Sequence, residues 1–409
     1  MMKRVVVTGV GVYSPIGTSY TAVDESLRNR RSGIRYMPEF EALDGINSHV
    51  AGVVEGADPM RIARKYRRSM GRVAQLMALA TMDAVADAGL DPDRLSDPRI
   101  GLSMGSTMGS GSALEEIFLQ FAKERTVRGH KSTSFLQVMS HTCAANMALM
   151  FSIRGRIYAP CTACTSSSQA IGFAYEAIQA GYQDMMLAGG AEEMHWTSVA
   201  TFDVMQGTSY NFNDRPHLAS RPFDADRTGL VVADGSACVI LEELERAKSR
   251  GTKIYGEIEA FHTNSDGYHM SSPSTDGMRA CMEGALAAGG LSPKDIDYIN
   301  AHATATPLGD RAEAGAIRAI FEDKTPVSST KSYTGHTFGA CGAIETVFSL
   351  AMINKGYLAP TLNLESVDPE CEGIDHITDV RDVAPRRIMS NNFAFGGVNT
   401  SLVIKKYEG

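Results

Sequence analysis

Three residues in this chain have the types and settings for acyl chemistry. They are Cys164 in Cys161-Thr-Ala-Cys164-Thr-Ser-Ser-Ser, His302 in Asn300-Ala-His-Ala-Thr-Ala-Thr-Pro307, and His336 in Lys331-Ser-Tyr-Thr-Gly-His-Thr-Phe-Gly339. A thiol can attack a thioester and hold the acyl group. Two imidazoles can move protons or donate hydrogen bonds to an oxyanion. The set fits acyl transfer and carbon–carbon condensation.

The elements around these residues must bring them together. Ile157 to Pro160 reads as a short buried strand, and Ala170, Ile171, Ala174 and Ile178 give Ser166 to Gln179 a helical spacing stopped by Gly181. Cys164 is therefore expected at a helix start, where unpaired N–H groups and the helix dipole would favour the thiolate and hold an oxyanion. Position alone reads equally well as a buried packing thiol. Cys161-x-x-Cys164 also has the form of a redox pair, but its flanks lack the Trp and Pro of such motifs. His302 and His336 follow the strand-like runs Ile296 to Asn300 and Val327 to Thr330, so both can project from strand ends into one crevice.

Strand-like and helical runs alternate along the chain: Val5 to Val10, Val73 to Ala88, Ile100 to Met104 and Met185 to Ala188. The pattern restarts with Ile254 to Phe261, Met278 to Ala288, Ile296 to Asn300 and Ala343 to Ile353, which implies α/β layers. Glu242 to Gly251 is the expected passage between halves, and Ala170-Ile171 with Gly181-Tyr182 is echoed by Ala343-Ile344 with Gly356-Tyr357.

At 409 residues, 44% hydrophobic and 21% charged, the chain has ordinary globular composition with room for two domain-sized units. No apolar run is long enough to span a membrane and no signal-peptide pattern opens the chain, so a cytoplasmic protein is expected. Seven cysteines in apolar contexts suggest reduced thiols, and a net charge of −8 argues against nucleic acid as a partner. Gly9-Val-Gly11-Val-Tyr-Ser14 only half-matches a dinucleotide fingerprint, and Gly105 to Ser112 lacks the ending of a phosphate loop, so both read as tight turns. No cluster has the spacing of a metal site.

Cys164, His302 and His336, with Lys331, Asp310, Glu313, Glu345 and the segment Asn392-Phe-Ala-Phe-Gly-Gly-Val-Asn399, resemble an elongating β-ketoacyl-[acyl-carrier-protein] synthase. The likeness runs from Arg4-Val-Val-Val-Thr-Gly-Val-Gly11 to the last strand near Val403. Phe202-Asp-Val-Met and Tyr210-Asn-Phe-Asn-Asp214 are similar to the type I synthase, Thr162-Ala-Cys-Thr-Ser and Tyr268-His-Met to type II.

That resemblance implies a thiolase-like fold of two similar βαβαβαββ halves, here 1–250 with the cysteine and 251–409 with both histidines, in an αβαβα five-layer arrangement. It implies that Cys164 carries the acyl group, that the N–H groups of Cys164 and Phe395 hold the oxyanion, and that His302 and His336 stabilise the enolate left by decarboxylation of a malonyl thioester. Lys331 would act through charge with Glu345, with Asp310 and Glu313 in support. Thr304 and Thr306 would hold the pantetheine arm, while Met108, Phe202 and Phe393 would line the acyl pocket behind a gate at Phe393 to Gly397. The resemblance implies no cofactor beyond carrier-bound phosphopantetheine, and a structural monovalent cation at Asn300, Glu345 and Asn391. The expected partner is an acidic acyl carrier protein docking on Arg64, Lys65, Arg68, Arg128 and Lys131. The chain itself would pair as a homodimer, or as a heterodimer with a homologous chain-length subunit. A polyketide or aryl-polyene ketosynthase, or a silent chain-length subunit, is the alternative reading. Ala303, Ala305, Ala394 and Val398 stand where the housekeeping pattern has Gly, Ser, Gly and Thr. An Ala394 Cβ would penalise positive φ in the gate.

Overall fold

The computed structural model describes residues 2–409. Its main sheet has eleven strands: β1 (Val5–Tyr13), β2 (Ile100–Gly105), β3 (Ile157–Tyr158), β4 (Met185–Glu192), β5 (Gly235–Glu243), β6 (Gly256–Ser265), β7 (Tyr298–Asn300), β8 (Pro326–Ser328), β9 (Asp375–His376), β10 (Arg387–Phe393) and β11 (Val398–Lys405). The spatial order is β9-β8-β7-β10-β11-β6-β1-β5-β4-β2-β3. Nine helices matter for the site: α1 (Arg72–Asp87), α2 (Gly111–Glu124), α3 (Ser132–Val138), α4 (Thr142–Met150), α5 (Ser166–Gln179), α6 (Trp196–Val204), α7 (Thr275–Gly289), α8 (Pro307–Phe321) and α9 (Cys341–Lys355).

The sheet repeats itself. From β1 outward the pairings run antiparallel to β5, antiparallel to β4, parallel to β2 and parallel to β3. From β6 they run antiparallel to β11, antiparallel to β10, parallel to β7 and parallel to β8. Each half thus has the βαβαβαββ order, and β1 joins β6 through the antiparallel pairs Val5↔Ile258 to Val7↔Gly256. β9 adds one more parallel strand beyond β8.

Sequence explains the layers. In α9, Cys341 to Ile353 is apolar or small nearly all round and every residue is buried. α5 is likewise buried on most sides. Helices of that kind belong between sheets, and α5 and α9 pack on each other between the halves. α1 covers the outer face of the first half and α7 that of the second, which completes five layers. Gly9 and Gly11 are in β1, where a Cβ would come within 2.4 Å of Ala84 O and 2.0 Å of Ala80 O of α1. The half-fingerprint is thus a close strand–helix packing. In the second glycine-rich stretch Ser110 caps α2, and Glu193 accepts from Ser112 N and Ser110 Oγ, so a carboxylate already occupies that helix start.

Several boundaries differ from the sequence reading. The expected buried strand Ile157–Pro160 is the two-residue β3, partly exposed because it is an edge strand paired on one side only. The passage at Glu242–Gly251 is the end of β5 followed by a helix over Leu244–Arg250, closed by Gly251. Among the described residues no helix is long and apolar enough to cross a membrane, and all seven cysteines are free.

Candidate active site

Cys164 is in a 3₁₀ turn, Ala163–Thr165, that runs directly into α5. The residue before it, Ala163, has φ 50°, the left-handed region that non-glycine residues enter at a cost of roughly 1–2 kcal/mol. This turns the thiol away from the helix and toward Nε2 of His336, 2.9 Å from Sγ. Backbone N–H groups of Cys164 and Phe395 also point at the sulfur. The helix start does not make Cys164 a resting thiolate, however. Burial pushes the thiol up to about 12, and Lys331 and the two N–H groups only partly offset it. Desolvation outweighs the dipole because the side chain is almost sealed from water.

His302 follows β7, and two carboxylates of α8 fix its loop. Glu313 accepts from His302 N at 2.8 Å and Ala303 N at 2.7 Å, while Asp310 accepts from Phe223 N at 2.8 Å and lies near the N–H groups of Thr304 and Ala305. These acids are three residues apart on one helix face, so one side of α8 holds two consecutive amides of the loop through Glu313 and faces the next two with Asp310. Burial raises Glu313 to about 8 and Asp310 to about 6, the latter pulled down by Arg227. Ala305 is left-handed at φ 69°.

His336 does not sit at a strand end. A helical turn, Lys331–Thr334, intervenes after β8, and the stretch after Thr334 bridges Val232 before a left-handed Phe338 at φ 41° starts the approach to α9. The His302 and His336 rings meet edge to face with centroids 5.2 Å apart. Burial and the Lys331 charge hold both imidazoles well below their usual pKa, hence neutral. Nδ1 of each ring has no hydrogen-bond partner, so no protein group locks the tautomer. Behind them Lys331 pairs with Glu345, which also accepts from Asn392 at 2.7 Å. Burial works against the Lys331 charge, and Glu345 more than restores it.

One donor atom each from Cys164, His302 and His336 lies within 4.8 Å of the others. They open into a cavity of about 530 Å³ whose wall includes Phe202, Thr304, Thr306, Phe393 and Phe395. The Thr304 and Thr306 hydroxyls are 3.1 Å apart. Phe202 stacks between Phe395 and Phe338, centroids 5.5 and 5.3 Å away. Met108 is not on this wall; it is part-exposed at the mouth of α2. The segment expected as a gate is held by hydrogen bonds from Gly396 N to Met270 O and from Asp266 N to Gly397 O. Its positive φ angles, 85° and 73°, belong to Gly396 and Gly397 and not to Ala394, so the Ala394 Cβ strains nothing in this state.

The cation set does not fit an ion here. Asn300 pairs with Thr330, Asn391 Oδ1 accepts from Ser401 at 2.8 Å, and both Glu345 oxygens are taken by Lys331 and Asn392.

Sequence reasoning missed three groups. Cys341 donates from Sγ to the Cys164 carbonyl at 3.1 Å. Glu192, which burial raises to about 7, takes Thr107 N, Thr107 Oγ1 and Gly339 N on one oxygen, tying the Met108 loop to the turn beyond His336. The Asp266–Met270 segment completes the cavity wall. The paired acids Glu192-Glu193 after an apolar strand were the one legible sign.

A thiol, two neutral imidazoles and two oxyanion donors in one cavity between duplicated βαβαβαββ halves define a condensing acyltransferase of thiolase-like fold. Residues 2–247 match the model of the β-ketoacyl synthase N-terminal domain and residues 255–365 that of the C-terminal domain, so the chain belongs to the β-ketoacyl synthase family. It is 42% identical to 3-oxoacyl-[acyl-carrier-protein] synthase 1 of Haemophilus influenzae, with 100% of both chains covered. A crystal structure of a β-ketoacyl synthase from Burkholderia phymatum superposes with a TM-score of 0.95 at 43% identity, again over 100% of both chains. A type II PKS ketosynthase in complex with its acyl-carrier protein reaches 0.91 at 28% identity over the same full coverage.

Proposed function

We infer that this chain condenses malonyl-acyl carrier protein with an acyl chain held on Cys164, releasing carbon dioxide and giving a β-ketoacyl-acyl carrier protein in fatty acid elongation. The observation that carries this reading is the convergence of Cys164 Sγ, the Cys164 and Phe395 N–H groups and both imidazoles on one cavity. The greater likeness to the 3-oxoacyl synthase than to the polyketide enzyme favours elongation over the polyketide reading.

In the first half-reaction the thiol proton leaves through His336 Nε2, and the sulfur attacks the acyl thioester. The tetrahedral oxyanion is held by the two N–H groups, and the proton passes to the departing pantetheine sulfur. Acylation consumes the thiol, and His336 then faces the second substrate with its tautomer free. In the second half-reaction the malonyl C–C bond to carboxylate breaks and its electrons move into an enolate. His302 and His336 donate to that oxygen, each such donor contributing about 3 kcal/mol. The enolate carbon attacks the acyl carbonyl, and Cys164 leaves as thiolate and regains a proton. Burial, with the Lys331 ammonium, keeps both rings neutral, so each donates through its one N–H.

The carrier's docking site is read from which cations lack partners. Arg61 is held by Asp83, Arg67 by Pro59 O, and Arg72 by Asp234. Arg64, Lys65, Arg68, Arg128 and Lys131 have no carboxylate partner among the described residues and would meet an acidic carrier. A second copy of the chain is the proposed cover for the β3 edge and for the exposed Phe118, Leu119, Phe135, Leu136 and Leu149 of the same half. Met108 would then be enclosed as an acyl-pocket wall.

The test combines mass spectrometry of carrier-bound products over a panel of acyl donors with the double variant Lys65→Glu/Arg68→Glu. The variant should raise KM for carrier-bound substrate in a salt-sensitive way and leave small thioester analogues unaffected. Equal loss with both substrate types would sink the docking assignment, and absence of a two-carbon-longer β-keto product would sink the reaction.

A further inference from the structure

No two of Cys164, His302 and His336 have the close spacing by which metal sites are read in sequence. The fold nevertheless gathers one donor atom from each within 4.8 Å of the other two, all three side chains being buried. We propose that this triad is also a binding site for a soft divalent cation, with Zn²⁺ as the type ion, and that occupancy blocks the enzyme reversibly before acylation.

One thiolate and two imidazoles are the ligand types that such ions select over hard cations. Tetrahedral coordination with Zn–S of about 2.3 Å and Zn–N of about 2.0–2.1 Å puts neighbouring donors roughly 3.3–3.6 Å apart. The Sγ to His336 Nε2 pair at 2.9 Å must open slightly. The widest pair, at most 4.8 Å apart, must close by up to about 1.2–1.5 Å, which is the scale of a side-chain rotation. The fourth position faces the cavity, which has room for water. The fixed cation behind the site, Lys331, is paired with Glu345, which offsets part of the positive charge that the ion meets.

The step is a ligand exchange without redox change. One S–Zn and two N–Zn bonds form, the ion sheds water, and the thiol proton goes to solvent. An acyl group on Cys164 removes the sulfur donor, so cation and acyl donor compete for one atom; this part rests on Cys164 being the acylated residue.

The experiment uses the full chain, free Zn²⁺ buffered at defined concentrations, an alkylating agent and intact-mass analysis with peptide mapping. Cys161 is exposed and Cys164 buried in the site, so the two thiols report separately. Zn²⁺ should slow alkylation of Cys164 about tenfold or more and leave Cys161 unchanged, with full reversal by chelator. His302→Ala and His336→Ala should each weaken that protection about tenfold or more. Cd²⁺ should give one thiolate charge-transfer band per chain, absent in Cys164→Ala. Equal protection of both thiols, no protection, or protection indifferent to the histidines would each overturn the proposal. Acyl adducts on Cys164 in the cation-free protein are scored in the same spectra, so failure of the metal site is distinguishable from failure of the acylation reading.

Discussion

The two halves carry the same strand-and-helix order, yet the equivalent loops do different work. Between β3 and α5, residues 159–165 make a short connection that delivers a thiol to a helix start. Between β8 and α9, the longer connection 329–340 inserts a helical turn and places Lys331 behind the site and His336 beside the thiol. The same holds one loop earlier. After β2 the chain runs through Thr107 and Met108, which lie outside the cavity wall, whereas after β7 it supplies His302, Thr304 and Thr306. A duplicated scaffold has thus been divided into a nucleophile half and a donor half, through loop length after β3 and β8 and through the residues carried after β2 and β7.

That division can be broken most sharply at the sulfur. Cys164→Ala should abolish acyl-enzyme formation and condensation, while Cys161→Ala retains most activity. Intact mass after incubation with acyl donor checks this, and an adduct on Cys161 alone would reverse the assignment.

The donor half should show a graded loss. His302→Ala should slow malonyl decarboxylation by about 10²–10³-fold and leave acylation largely intact. His336→Ala should slow both half-reactions, because only His336 lies within hydrogen-bond reach of Sγ. Single-turnover acylation and decarboxylation assays separate the two, and identical profiles would erase the distinction.

A smaller effect concerns the carboxylates that hold the His302 loop. Burial raises Glu313 to about 8 in the folded chain, above its unfolded value near 4.5. A group raised in this way contributes stability that is full below the unfolded pKa and lost as pH rises through about 8. Tm should therefore fall between pH 6 and pH 9, and Glu313→Gln should flatten that fall. An unchanged slope would place the titration elsewhere, Glu192 at about 7 being the next candidate.

The smallest effect expected is at Ala305. Relief of its left-handed backbone is worth roughly 1–2 kcal/mol, and the added freedom of the unfolded chain takes back about 0.4–1 kcal/mol. Ala305→Gly should raise stability by about 0–1.6 kcal/mol, read from denaturant midpoints. A loss would mean that the methyl group packs usefully.

Most of the scaffold was legible because its elements are strongly patterned. α5 follows the spacing of Ala170, Ile171, Ala174 and Ile178 from Ser166 to its last residue, Gln179. β3 was misread as buried because an apolar run does not say whether a second strand lies beside it. At the site, the loops that place Cys164, His302 and His336 were found from motif and residue type. The thiol's protonation was not, because a helix start is visible in sequence and the desolvation that overrides it depends on residues far away in the chain. The bonds of Cys341 and Glu192 to the site cross 177 and 147 residues, respectively, and nothing local announces them. Nor do Ala163, Ala305 and Phe338 look like left-handed residues, since none is Gly, Asn or Asp.

The central position of α5 has a consequence for synthesis of the chain. The helix that starts at the nucleophile packs on α9, β6 and β11 as well as on its own half. β11 spans Val398–Lys405, more than 230 residues after Cys164 in the order of synthesis. While the chain emerges from the ribosome, one side of α5 has no cover, and Phe395 N–H has not yet been made. The acylation site is therefore completed only after the segment through Phe395 and β11 has been made, and a chain that stops short of it lacks one of the two N–H groups that face the sulfur.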